Sequence, residues 1–256
     1  MLIVISPSKT LDFESPAISN IHSDASFLKE SKLLIKELQK LKADDIAELM
    51  GISPKLAQLN FERFHQWNTP FTQENSKQAL LAFKGDVYTG IDASTFSQEN
   101  FIQAQSDLRI LSGLYGVLKP MDLIQAYRLE MGKKIETSKG ENLYQFWGDT
   151  ITKSINQSLN ENDHKHLINL ASNEYFKSIN KKKIKAEIIT PAFKDLKNGE
   201  YKMISFFAKK ARGLMTRFII QNKITDPEEL KAFDMDGYMY NPTLSKEKEP
   251  VFTRDH

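Results

Sequence analysis

The 256-residue chain contains no cysteine. That absence removes disulfides, thiolate metal sites, iron–sulfur clusters and any peroxidase or sulfenate chemistry that runs through a thiol. No stretch approaches the roughly 20 consecutive apolar residues of a membrane span. The opening LIVI is four apolar residues with no basic segment ahead of it, so it reads as a buried strand and not as a signal peptide. A cytoplasmic protein without membrane attachment is expected. Histidine is also scarce, five in all. His164 and His166 stand two apart, which suits neither one helical face nor a ligand pair, and read as polar flanks of the strand LINLA. Glu62-x-x-His65 has the spacing of half a carboxylate-bridged di-iron site, but the chain has no second copy. No cofactor and no resident metal are therefore expected. Repeats, low-complexity tracts and Gly/Ser linkers are missing too, which makes one domain over residues 1–256 the default.

Net charge is only +2, too little for whole-molecule attraction to a polyanion. Its distribution is uneven. Residues 177–223 hold thirteen Lys or Arg against Glu187, Asp195 and Glu200, so this segment carries +10 and the remainder −8. A local polyanion-binding face needs such asymmetry, although lysine runs such as KKKIK also occur as plain solvated surface.

Periodicity and punctuation predict a strand at 2–5, helices near 25–41, 43–50, 53–66 and 75–83, and a turn at FKGDVYTG. A helix near 97–106 leads into a strand at 108–112, a loop SGLYGVLKP, and a strand or extended segment at YRLEM. A long helix at 143–160 follows, then strands at 166–171 and 186–193 flanking a short helix at 173–179. Asn198-Gly199 sits where a two-residue hairpin turn belongs. A helix at 207–222 and an edge hairpin in YMYNPTLSKEKEPVFT close the chain.

ELMGISPKLAQLN joins two helical patterns by a very short corner. Ile46, Leu49 and Met50 make an amphipathic stripe, Gly51 suits the left-handed residue that ends a helix, Ser53 suits an N-cap, and Pro54 suits the first helical position. Leu56, Ala57, Leu59, Asn60 and Phe64 continue the apolar spacing, with Ile52 in the angle. Backbone N–H groups left free at such a tip are ready to bind an anion. The stretch resembles the helix-hairpin-helix motif of DNA-binding and repair proteins, which reads Gly-hydrophobic-Gly; Gly51-Ile52-Ser53 departs from it at the third position. An ordinary αα-corner has the same outline. The fold class expected is therefore mixed α/β, a single compact domain with a mixed sheet, flanking helices and an inserted helix-hairpin-helix element within about 43–66.

In FAKKARGLMTRFIIQN the polar face is wholly basic. Lys210 and Arg217 lie two turns apart with Gly213 between them, and Lys209 and Arg212 lie alongside, while Leu214, Phe218 and Ile219 pack inward. A glycine there costs about 1 kcal/mol against alanine, which implies that another backbone or a ligand comes close. Three small-residue loops follow predicted strands: Ser6 to Thr10 with Lys9, Ser112-Gly113-Leu114-Tyr115-Gly116, and Ala171 to Glu174 with Asn173. Ligands bind beyond the carboxyl ends of strands in open α/β sheets, so these loops and the nearby Arg128 can converge on one cleft for a phosphate or polar ring, with Tyr115 available for stacking. None matches a phosphate-loop fingerprint, and tight turns use the same residues. Glu130, Asp149 and Glu174 are candidate acid/base groups and Lys9 a candidate nucleophile or phosphate binder, but no spacing fixes a catalytic set.

MLIVISPSKTLDF, ERFHQW, AFKGDVYTG, LSGLYGVLKPMDLIQAYRLEMG, LYQFWGD, NLASNEYFK and AKKARGLMTRFI together resemble the YaaA family of bacterial peroxide-stress-resistance proteins over nearly the whole chain. The resemblance implies a cytoplasmic protein that limits peroxide damage by keeping free iron low, and that binds double-stranded or branched DNA through a basic cleft with a helix-hairpin-helix element. Carried onto this chain, the DNA-binding hairpin is Gly51, Ile52, Ser53, Pro54 and Lys55, and the basic wall is Lys209, Lys210, Arg212 and Arg217. ISPSKT and ILSGLYGVLKPMDLIQAY are also similar to strand-loop signatures of small domains that handle deazaguanine nucleobases, which implies a nucleobase or nucleotide pocket at Ser6, Lys9, Ser112, Gly113, Tyr115 and Gly116. Two classes of function follow: a DNA-binding stress protein with little base discrimination, or an enzyme acting on a nucleobase, nucleotide or damaged DNA.

Overall fold

Every residue of the strand Leu2–Ile5 is apolar and buried, the signature of a strand covered on both faces. The computed structural model describes residues 1–255. Its strands in chain order are β1 (Leu2–Ile5), β2 (Thr10–Leu11), β3 (Ser23–Asp24), β4 (Lys77–Gln78), β5 (Phe83–Lys84), β6 (Leu108–Ser112), β7 (Gly116–Leu118), β8 (Asp122–Ile124), β9 (His166–Asn169), β10 (Glu187–Ile189), β11 (Ala192–Lys197), β12 (Glu200–Lys202), β13 (Met239–Tyr240) and β14 (Val251–Arg254). Helices are α1 (Leu28–Leu38), α2 (Ala43–Met50), α3 (Pro54–Gln66), α4 (Ala79–Ala82), α5 (Asp86–Ile91), α6 (Gln98–Asp107), α7 (Leu143–Trp147), α8 (Thr150–Glu161), α9 (Asn173–Phe176) and α10 (Ser205–Asn222).

The main sheet runs β10-β9-β1-β6-β7, with β10, β9, β1 and β6 parallel and β7 antiparallel to β6. Ile3 sits opposite both Leu108 and Ile168 in this register. After β1 the chain crosses to β6 on one side, and after β9 it moves to β10 on the other. A crevice therefore opens beyond the carboxyl ends of β1 and β9, the switch point at which doubly wound sheets place their ligands. A second sheet, β12-β11-β14-β13, packs against α10 through β11, and two small sheets, β2-β5 and β3-β8-β4, complete the set. The fold is mixed α/β, as the sequence indicates.

Several segments differ from the sequence reading. FKGDVYTG is not a turn; β5 and then α5 occupy it, with Asp86 in the first helical turn. The helix expected at 75–83 shrinks to the four residues of α4 between β4 and β5. The helix expected at 143–160 breaks at Gly148, whose φ of +47° ends α7 before α8 begins. The strand expected at 186–193 divides into β10 and β11 of different sheets, because Pro191 between them has no N–H for a ladder. The loop expected after β6 contains β7, and the last segment is not simply an edge, since β14 lies between β11 and β13. YRLEM forms no strand. The Asn198-Gly199 turn adopts φ of +55° and +78°, matching the two left-handed residues of a type I′ hairpin.

Asp122 lies 1% exposed in β8, accepting from the Ser23 hydroxyl at 2.6 Å and the Lys119 amide at 2.8 Å. Burial pushes its pKa up to about 6, against the opposing pull of those donors and of Lys119 and Arg109. Because the folded value exceeds the unfolded one, this group's contribution is complete below pH ~4 and is lost as pH rises through 6. Asp122→Asn is expected to raise the melting temperature at pH 7 and to leave it nearly unchanged at pH 4; equal shifts at both would show that the carboxyl is not the titrating group.

Candidate functional site

Ser6 and Ser172 meet where β1 and β9 end. The Ser172 amide donates to Ser6 Oγ at 2.8 Å, and the two hydroxyls lie 3.2 Å apart. This clasp holds the two loops side by side at the floor of a cavity of about 450 Å³. Ser8, whose hydroxyl donates to the Lys84 carbonyl, and Gly85 form one edge. A side chain at Gly85 would strike Ser8, and its φ of +151° also favours glycine. Tyr88 from α5 and Tyr175 from α9 supply walls, and the Tyr88 hydroxyl donates to the Ser6 carbonyl at 3.1 Å. Burial drives both phenols well above their ordinary pKa, so they stay neutral donors.

The YRLEM segment brings charge to this cavity. Glu130 is 5% exposed, and its Oε1 is held by Lys9 at 3.3 Å and Arg128 at 3.1 Å. Oε2 has no partner among the described residues, nor does Arg128 Nε. A buried carboxylate oxygen left without a donor costs on the order of 1–3 kcal/mol, a penalty that a bound donor would remove. Glu174 at the rim accepts from the Gly132 amide at 2.9 Å.

Above the cavity stands α10, and its glycine explains how. A Cβ on Gly213 would lie 1.9 Å from the Val87 carbonyl, and one on Gly90 would lie 2.2 Å from the Lys210 carbonyl. The close neighbour of Gly213 is thus the backbone of α5, and this crossing seats Lys209 and Arg212 in the cavity wall beside Asp86 and Val87. Burial pulls the Arg212 guanidinium below the usual arginine pKa. Among the described residues neither Lys209 nor Arg212 has an ion-pair partner. Lys210 and Arg217 face elsewhere. Lys210 pairs with Asp236 at 3.3 Å, while Arg217 donates to the carbonyls of Ile91 and Asp92 and to Thr95 Oγ1 at 2.7 Å, closing the end of α5.

The other sequence candidates divide in the same way. Ser6, Lys9, Thr10 and Glu174 line the cavity, while Asn173 lies exposed outside its lining. Ser112, Gly113, Tyr115 and Gly116 do not reach it, because β7 folds straight back on β6. Tyr115 is fully buried, receiving the Trp67 indole N–H at 3.0 Å and donating to the Gln125 carbonyl, so it cannot stack on a ligand. Ser112 instead bonds the Tyr127 hydroxyl at 2.6 Å and supports YRLEM from beneath. Arg128 acts through Glu130, and Asp149 pairs with Lys183 at 2.5 Å away from the cavity. The residues that sequence reasoning passed over are Asp86, Tyr88 and Tyr175, whose only signal was their place inside AFKGDVYTG and NEYF.

At the α2–α3 corner Gly51 has φ of +62° with open space around it, and the Ser53 hydroxyl accepts from the Leu56 amide at 3.4 Å. Ala57, Asn60 and Phe64 are buried, but Leu56 and Leu59 are 40% exposed, so the apolar face is narrower than the spacing indicates. Lys133 Nζ donates to the Met50 carbonyl at 2.9 Å, tying this corner to the segment that contains Gly132. His166 faces Glu187 at 3.7 Å, and among the described residues no group of three or more His, Asp or Glu is arranged to hold a metal.

A mixed α/β protein with a polar crevice at its sheet's switch point, roofed by a cationic helix, is the class these features define. Residues 1–244 match the family described as peroxide stress protein YaaA, and the chain belongs to that family. It is 61% identical over 254 residues to a UPF0246 protein of Colwellia psychrerythraea, with 99% of each chain covered. It is 57% identical to one from Aliivibrio fischeri, over 100% of this chain and 98% of that one, and 54% identical to one from Hahella chejuensis over the full length of both.

Proposed function

We propose that this peroxide stress protein binds DNA, duplex or branched and without sequence preference, and so limits free-iron-dependent damage to it. The observation that carries this reading is the pair Lys209 and Arg212, two cations facing a crevice and, among the described residues, in ion pair with none of its carboxylates, Asp86, Glu130 and Glu174. Cations without a direct ion-pair partner collect phosphates, because each contact releases a condensed counterion. The contacts from Lys133 to Met50 and from Gly132 to Glu174 support continuity between the cavity rim and the exposed corner at Gly51 to Lys55, where the Gly51 and Ile52 amides are taken by carbonyls of α2 and those of Ser53 and Lys55 suit a second phosphate. Protection then acts at the DNA and not by iron storage; stoichiometric Fe(II) carried by the protein through gel filtration would overturn that part.

Duplex affinity measured by fluorescence anisotropy across a salt series tests the reading. Log K is expected to fall linearly with log salt, at about −0.9 per phosphate contacted. Lys209→Gln together with Arg212→Gln is expected to flatten that slope by about 2. A wild-type slope near zero, or a double variant with the wild-type slope, would remove α10 from the interface.

A further inference from the structure

Three features at the crevice exceed what an external phosphate grip requires. The cavity of about 450 Å³ is deep enough for a small ligand and is walled by Tyr88 and Tyr175. Glu130 lines it, nine-tenths buried, with Oε2 awaiting a donor. Phe206 and Met203 stand 59% and 65% exposed at and just before the start of α10, with Phe206 one turn ahead of Lys209. Large apolar side chains beside cations are what proteins insert between base steps when they open or kink DNA.

We propose that the crevice receives a single nucleotide swung out of the duplex. Its flanking phosphate is held by Lys209 and Arg212, an N–H of its base donates to the Glu130 carboxylate, and Phe206 fills the gap left in the stack. The occupant is a nucleotide still in its strand, because an exposed aromatic outside the cavity has no work to do for a free one. This inference rests on the DNA-binding reading. It involves no bond making or breaking, only the transfer of one base from a stack to a walled site.

The test uses the full chain and a duplex carrying one 2-aminopurine, whose fluorescence rises when it leaves the stack, with anisotropy recorded on the same samples. The expected result is a severalfold rise in 2-aminopurine fluorescence at saturating protein, reduced toward the free-duplex level at saturation for Phe206→Ser and Glu130→Gln. Saturation by anisotropy with no fluorescence rise overturns this inference and leaves the DNA reading standing. No anisotropy change even at low salt overturns both. A wild-type rise that persists in full in Phe206→Ser, a substitution at the surface, refutes the assigned wedge.

Discussion

Gly213→Ala is expected to lower the melting temperature by roughly 10 °C, taking overpacking near the upper end of its usual range, about 3 kcal/mol, at 2–4 °C per kcal/mol for a chain of this size. In an isolated helix the same change would stabilise by about 1 kcal/mol. Here the new methyl would stand 1.9 Å from the Val87 carbonyl and 2.9 Å from the Gly90 Cα, both backbone atoms that cannot rotate aside. The two helices must separate. Since α5 carries Asp86, Val87 and Tyr88 and α10 carries Lys209 and Arg212, separation would also pull the cavity's walls apart. Circular dichroism melting gives the first effect and the salt slope of DNA affinity the second. A variant as stable as the wild type would mean that the crossing tolerates a wider spacing.

Arg254→Leu is expected to destabilise by about 3–5 kcal/mol, the range for stripping the partner from a buried charge. Asp195 is fully buried, its Oδ1 accepting from Arg254 Nε at 2.8 Å and its Oδ2 from the Tyr238 hydroxyl at 2.9 Å. Arg254 also reaches Asp236, which in turn pairs with Lys210 on α10. The second sheet is thus braced against the cationic helix by an ionic chain. Adding Asp195→Asn to Arg254→Leu should recover much of the loss, because the buried residue that has lost its cation is then neutral. Urea denaturation measures both; if the double variant is no more stable than Arg254→Leu, the cost is not an orphaned charge.

What was legible in the sequence was whatever a short window encodes. LIVI gave a doubly covered strand, Ser53-Pro54 a helix start, and Asn198-Gly199 a hairpin, since each depends on dihedral preference or on a period of two or 3.6 residues. Longer stretches misled where one residue changed its neighbours' fate. Gly148 divided a helical pattern and Pro191 an apolar run, and neither break shows in average periodicity. In the crevice, two of the three loops meet, those after β1 and β9, and the third does not. Small residues after a strand look alike in sequence whether they face solvent or turn into a hairpin.

The amino-acid order alone determined a cysteine-free chemistry, a mixed α/β content, a cation-rich segment late in the chain and family membership visible in its long motifs. Only the tertiary structure decided which cations face the crevice without an ion-pair partner among the described residues. Arg212 and Arg217 lie on one helix, yet one faces the crevice and the other caps α5. That difference arises because the close approach of Gly213 to Gly90 fixes the rotation of α10, a contact between residues more than a hundred positions apart that no local pattern can carry.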